Sequence, residues 1–204
     1  MFIYLGSPKK LSDLTLTCPD IRILKQKTHI AIIDDQPFHR LDSLRAHGFN
    51  ITELGGDIKS VDPVIAYPIV VCDIKGVGKA FGSQYEGAHV LSEIRKNFPD
   101  KYLITFSGAT FDASYNESLS TADASATKDA ALEYWVALFE DGLKNIGDPK
   151  QRWLRFRRNL LERGIDIFEL FKLEQAFIKS IEKKDCSLMK SHSTPNEIQT
   201  TIEA

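Results

Sequence analysis

Five side chains far apart in the chain have types that do chemistry when brought together: Asp34 and Asp35, Asp73, Ser107 and Lys128. Each stands at or just past the end of a short apolar run: HIAIIDD at 29–35, IVVCD at 69–73, YLITF at 102–106 and ASATK at 124–128. Runs that stay apolar at consecutive positions suit strands buried on both faces of a parallel sheet, and right-handed crossovers put their carboxyl ends on one edge. Open α/β sheets bind ligands at that edge. The pattern therefore predicts three carboxylates, a hydroxyl and an ammonium in one crevice. Neighbouring carboxylates repel one another unless a cation intervenes, and oxygen donors with room for water favour a hard ion such as magnesium. Such an ion beside a carboxylate, with an ammonium and a hydroxyl opposite, suits a transferred phosphoryl group, whose spread charge needs stabilising from several sides. The plainer fate of an acidic residue at a strand end is a solvated loop; the four companion positions favour the crevice for Asp73.

The elements that must position these groups are legible in the periodicity. Pro37 suits a helix start, and Phe38, Leu41, Leu44 and Phe49 recur at helical spacing around Gly48. Asn50 to Leu54 is a weaker strand candidate, and the stretch containing Pro63 and Pro68 has no clear element. A glycine-rich loop, GVGKAFGSQY, precedes a helix marked by Ala88, Val90, Leu91, Ile94 and Phe98 and closed by Pro99. A further helix spans 130–143, with Leu132, Trp135, Val136 and Phe139 inward. Five strands alternating with helices imply an α/β fold, a doubly wound five-stranded parallel sheet, over 29–147. Beyond it a helical hairpin is predicted over 148–184, with Gly164 as a stop and Asp166 capping the second helix. Residues 185–204 read as a polar, flexible tail, and 1–28 as an N-terminal extension to which no role is assigned.

Composition narrows the classes. With 204 residues, 43% hydrophobic, the chain can bury one sizeable core, and a net charge of -2 gives no global attraction to nucleic acid or anionic membrane. The helix at 150–163 does carry Lys150, Arg152, Arg155, Arg157, Arg158 and Arg163, a conceivable surface for DNA in a regulator, but a solvated charged face is the commoner meaning and nucleic acid is not the expected partner. The apolar stripe of the hairpin suits packing on the rest of the chain, a second copy or a partner helix. Three cysteines, Cys18, Cys72 and Cys186, form no CxxC and point to a reducing, cytoplasmic setting. No apolar run approaches a membrane span, and the opening MFIYLG is too short for a secretory core. GVGKA is not a phosphate loop: Asp73 and Ala80 stand where a glycine and a Ser or Thr are needed. Nor does the chain fit an aspartate-nucleophile hydrolase, which needs a second acid two positions after the first: Asp34 and Asp35 are adjacent, and two positions after Asp35 stands Pro37.

At these residues the chain resembles the receiver domain of bacterial two-component response regulators, on IIDDQPFHRLDSLRAHGF, IVVCD, EGAHVLSEIRKNFPDKYLITFSG and ATKDAALEYW in the family's order. The resemblance implies a CheY-like fold in which Asp73 accepts a phosphoryl group from a sensor histidine kinase or phosphotransfer protein. It implies that Asp34, Asp35, Asp73 and the main-chain carbonyl of Lys75 hold magnesium. Ser107 matches the switch hydroxyl and Lys128 the lysine that pairs with the phosphoryl group. Three departures stand out. The segment between Asp73 and Gly87 is longer than usual, Ser125 replaces the aromatic three residues before the lysine, and Asp129 replaces the proline after it. These leave open a receiver-like adaptor that works without phosphorylation.

Overall fold

The computed structural model describes residues 7–16, 19–108 and 120–185. The opening MFIYLG, the segment 109–119, Cys18, Cys186 and nearly all of the predicted tail lie outside them. The chain divides into two compact units, 18–152 and a second made from the N-terminal 1–17 together with 153–204.

The first unit is built on five parallel strands: β1 (His29–Ile33), β2 (Asn50–Glu53), β3 (Ile69–Asp73), β4 (Tyr102–Ser107) and β5 (Ala124–Thr127). Their order is β2-β1-β3-β4-β5, so the chain reverses its winding beside β1 and β3. β3 and β4 are buried along their whole length, which is why their sequences run apolar without alternation. Successive side chains nevertheless serve opposite faces. Ile30, Ile32, Ile69, Val71, Ile104 and Phe106 form one core, and Ala31, Ile33, Val70, Cys72 and Leu103 join the other.

Helices cover both faces. α1 (Ile21–Lys27), α2 (Leu41–Ala46) and α4 (Leu132–Gly147) lie on the first face, where Leu24, Leu44, Trp135, Phe139 and Leu143 enter the core. α3 (Glu86–Asn97) covers the second with Val90, Leu91 and Ile94. α2 is shorter than its periodicity predicts. Asp34 Oδ1 accepts the Gln36 N–H at 3.0 Å, and the Phe38 N–H goes to Glu53 Oε1 at 2.7 Å, so the chain around Pro37 turns rather than coils and the helix begins after Arg40. Between β2 and β3 the only helical piece is one 3-10 turn, Asp62–Val64. Lys101 holds that crossover by donating to the carbonyls of Ile65 and Tyr67 at 2.9 and 3.1 Å.

The second unit contains most of α5 (Pro149–Glu162) and all of α6 (Ile167–Lys183). Asp166 caps α6 through the N–H groups of Phe168 and Glu169, and Gly164 turns the chain at φ 76°. Trp153, Phe156 and Leu160 pack with Leu170, Leu173 and Ala176, joined by Leu11 from the N-terminal segment. Among the described residues no helix is long and apolar enough to cross a membrane.

Candidate functional site

All the strand ends meet at the carboxyl edge of the sheet. Asp73 is the last residue of β3, 2% exposed, and stands opposite Phe106 in the β3–β4 register. Asp34 and Asp35 follow β1 directly, the first buried and the second exposed. One carboxylate oxygen from each of Asp34, Asp35 and Asp73 lies within 4.8 Å of the other two. Lys128, just past β5, reaches back over the Phe106 ring, 5.3 Å from its centroid, to Asp73 Oδ2 at 2.5 Å and Asp34 Oδ1 at 3.4 Å. Its own N–H donates to the Ser107 carbonyl at 2.9 Å, which ties the lysine turn to the end of β4.

Ser107 is buried at the tip of β4, and its hydroxyl donates to the Gly108 carbonyl at 3.0 Å instead of turning into the carboxylate cluster. Lys75 sits in the turn after β3 with its N–H on Asp73 Oδ1 at 3.3 Å. Ser125 is exposed on β5, and its carbonyl accepts the Tyr134 phenol from α4 at 2.8 Å.

The electrostatics follow from burial. Burial pushes the Asp73 carboxyl above the ordinary carboxylate range; the Lys128 ammonium and the Lys75 N–H oppose that push, and Asp34 adds to it. For Lys128 burial acts downward, but the Asp73 and Asp34 carboxylates outweigh it and hold the ammonium above its usual value. Cys72 is fully buried, and burial together with Asp73 and Asp34 drives its thiol far above the normal range, so it serves as packing.

No protein-family model matches the sequence, and a search of curated proteins finds no significant relative. Solved structures do match. The apo receiver domain of nitrogen regulatory protein C aligns over 60% of this chain and 99% of its own length, with a TM-score of 0.50 at 17% identity. A CheY-like receiver domain protein from Methanospirillum hungatei covers 58% and 95% of the two chains, with a TM-score of 0.45 at 20% identity. The receiver domain of NtrX from Brucella abortus covers 56% and 98%, with 0.46 at 21%. The first of these, with the strand order, decides the fold. It is the fold of a receiver domain.

Within this receiver fold the structure brings together Asp34, Asp35, Asp73 and Lys128, and it places Ser107 and Lys75 beside them. The sequence reading missed two acids that work through main-chain N–H groups: Glu53, which receives the Phe38 N–H, and Glu86, which receives that of Gly76 at 2.6 Å. A carboxylate bonding to backbone distant in sequence leaves no periodic trace; only the crowd of glycines at 76, 78, 82 and 87 hints at a close-packed loop. On the basic helix, Arg152 pairs with Asp100 at 2.6 Å, Arg157 lies 3.5 Å from Glu174, and Arg155 is buried, so these three do not form an open cationic face.

Proposed function

We propose that this protein is a phosphoacceptor of the receiver type, taking a phosphoryl group on Asp73 from the phosphohistidine of a sensor kinase or phosphotransfer protein. In the transfer the bond from phosphorus to the donor imidazole nitrogen breaks, its electron pair staying with the imidazole. A carboxylate oxygen of Asp73 forms the new bond, giving an acyl phosphate. The observation that supports this most is the Lys128 ammonium bridging Asp73 and Asp34 with Asp35 alongside. Lys128 favours the ionised, nucleophilic form of Asp73 that burial opposes, and in this reading it pairs with the phosphoryl oxygens. Three hard oxygen donors fit magnesium; Asp34, Asp35 and Asp73 with the carbonyl of Lys75 would hold it. Bound there, the ion supplies the positive charge that lets three carboxylates share the crevice with an incoming dianion. Ser107 is within the same strand-end cluster, and breaking its bond to Gly108 frees the hydroxyl for a phosphoryl oxygen.

Output by protein contact accords with the hairpin, where Ile167 and Phe168 are 75% and 51% exposed at the start of α6 and Leu154 and Leu161 are exposed on α5. A second copy or a partner helix suits that surface, in a cytoplasmic setting. Acetyl phosphate with magnesium tests the acceptor role: intact mass should rise by one phosphoryl group, and Asp73→Asn or removal of the metal should abolish the gain. A chain that takes no label under those conditions argues for a second reading, an adaptor that docks without phosphorylation. That reading draws support from Ser125, which offers no ring on β5 to move when the crevice fills.

A further inference from the structure

The loop between β3 and α3 packs against the crevice at Asp35. Gly76 and Gly78 both have positive φ, 81° and 70°, and Val77 between them is fully buried in the second core. A β-carbon at Gly76 would overlap Asp35 Oδ2, and one at Gly56, in the loop after β2, would come within 2.7 Å of Asp35 Cβ. The Gly78 N–H donates to the Gly56 carbonyl at 2.9 Å, so the two loops are joined where they flank Asp35. Asp35 itself makes no hydrogen bond or ion pair among the described residues, and the main chain at Gly56 and Gly76 lies directly against it.

One side chain closes the brace. Glu86 Oε2 accepts the Gly76 N–H at 2.6 Å. Glu86 does so from φ 45°, a left-handed conformation that residues with a β-carbon rarely adopt. Its neighbour explains why: Gly87 lies so close to the Asp73 carbonyl that a β-carbon would overlap it, and its N–H donates to the Ile74 carbonyl at 3.0 Å. The start of α3 is thus pressed onto the end of β3, and Glu86 is held in a strained backbone from which its carboxylate meets Gly76.

We infer that Glu86 is a positioning residue: through the Gly76 N–H it fixes the inserted loop against Asp35 and thereby sets how tightly the three-carboxylate cluster holds a divalent cation. This rests on reading that cluster as a cation site. The glutamate does not touch the ion; it acts on the main chain that buttresses one ligand, and partners of metal ligands matter to affinity by about tenfold or more.

Magnesium alone is the probe, titrated calorimetrically into the full chain and three variants, alongside hydrogen exchange at the Gly76 amide without metal. Glu86→Ala should weaken magnesium about tenfold and speed Gly76 exchange. Glu86→Gln keeps an acceptor oxygen and should bind close to wild type. Glu86→Gly relieves the left-handed strain, so it should melt no lower than Glu86→Ala while binding magnesium as poorly, separating positioning from stability. Wild-type affinity in Glu86→Ala, or a Gln variant as weak as the Ala variant, overturns the inference. A wild-type chain that binds no magnesium, with Gly76 protected and the protection lost in Glu86→Ala, instead overturns the cation site and the affinity role with it, leaving only the loop brace.

Discussion

Asp73 carries an opposition that shapes the whole crevice. Its carboxyl is 2% exposed and close to two others, yet the proposed chemistry needs it ionised. Because burial raises its folded-state pKa above the ordinary 3.8, the folded protein binds that proton more tightly than the unfolded chain does. Stability from this group therefore falls as pH rises from about 3.8 toward the raised value and stays lost above it. Asp73→Asn should raise the melting temperature of the metal-free protein by a few degrees at neutral pH, and the gain should shrink once acid protonates the wild-type carboxyl. Thermal melts of both proteins across pH check this; an Asn variant less stable at neutral pH would mean that the Lys128 pair outweighs the burial cost. Asp34, Asp35, Asp73 and Lys128 were legible in the sequence because each follows an apolar run. Glu53 and Glu86 were not, because each completes a distant main-chain group.

Among the elements, β1, β3 and β4 were legible as uninterrupted apolar runs, a pattern forced by burial on two faces. The short α2 was not, because the Asp34 turn and the Glu53 bond compete with the first helical turns after Pro37. The β2–β3 crossover was equally obscure: it is held by the Lys101 bonds and by Ile58 and Val64 in the second core, with no periodic repeat. Burial, with a smaller effect of Arg152 and against the pull of Asp100, brings the Lys101 ammonium down to about 8. Between about 8 and the ordinary 10.5 the unfolded chain then holds more protons than the folded one, so this group's contribution to stability rises with pH across that window. Urea denaturation should show wild type gaining stability relative to Lys101→Met from pH 8 to 10.5, and parallel curves would refute the burial argument. Lys101→Met also strips donors from the carbonyls of Ile65 and Tyr67, an additional loss of about 1–3 kcal/mol.

At the scale of the molecule, the two units have separate cores. The hairpin was readable from the 3.6-residue spacing of its apolar positions, but the part played by the N-terminal segment was not. Gln175 bonds both main-chain groups of Lys9, at 3.1 and 2.8 Å, and Leu11 enters the hairpin core; the stretch SPKKLSDLTL has no periodicity that signals such a partner. Trp153 stacks on Phe177 with centroids 4.9 Å apart and donates to Glu174 at 2.9 Å, so this small core depends on a few large contacts. Leu160→Ala should cost about 2–5 kcal/mol and speed hydrogen exchange along α6 while leaving β1 and β3 amides unchanged. Uniform loss of protection would instead show one cooperative molecule. The most direct test of the central claim is to treat the chain with acetyl phosphate and magnesium, reduce the product with borohydride and map the converted residue by mass spectrometry. Conversion at Asp73 alone is the predicted result; conversion at Asp34 or Asp35, or a phosphorylated product stable to alkali, would contradict it.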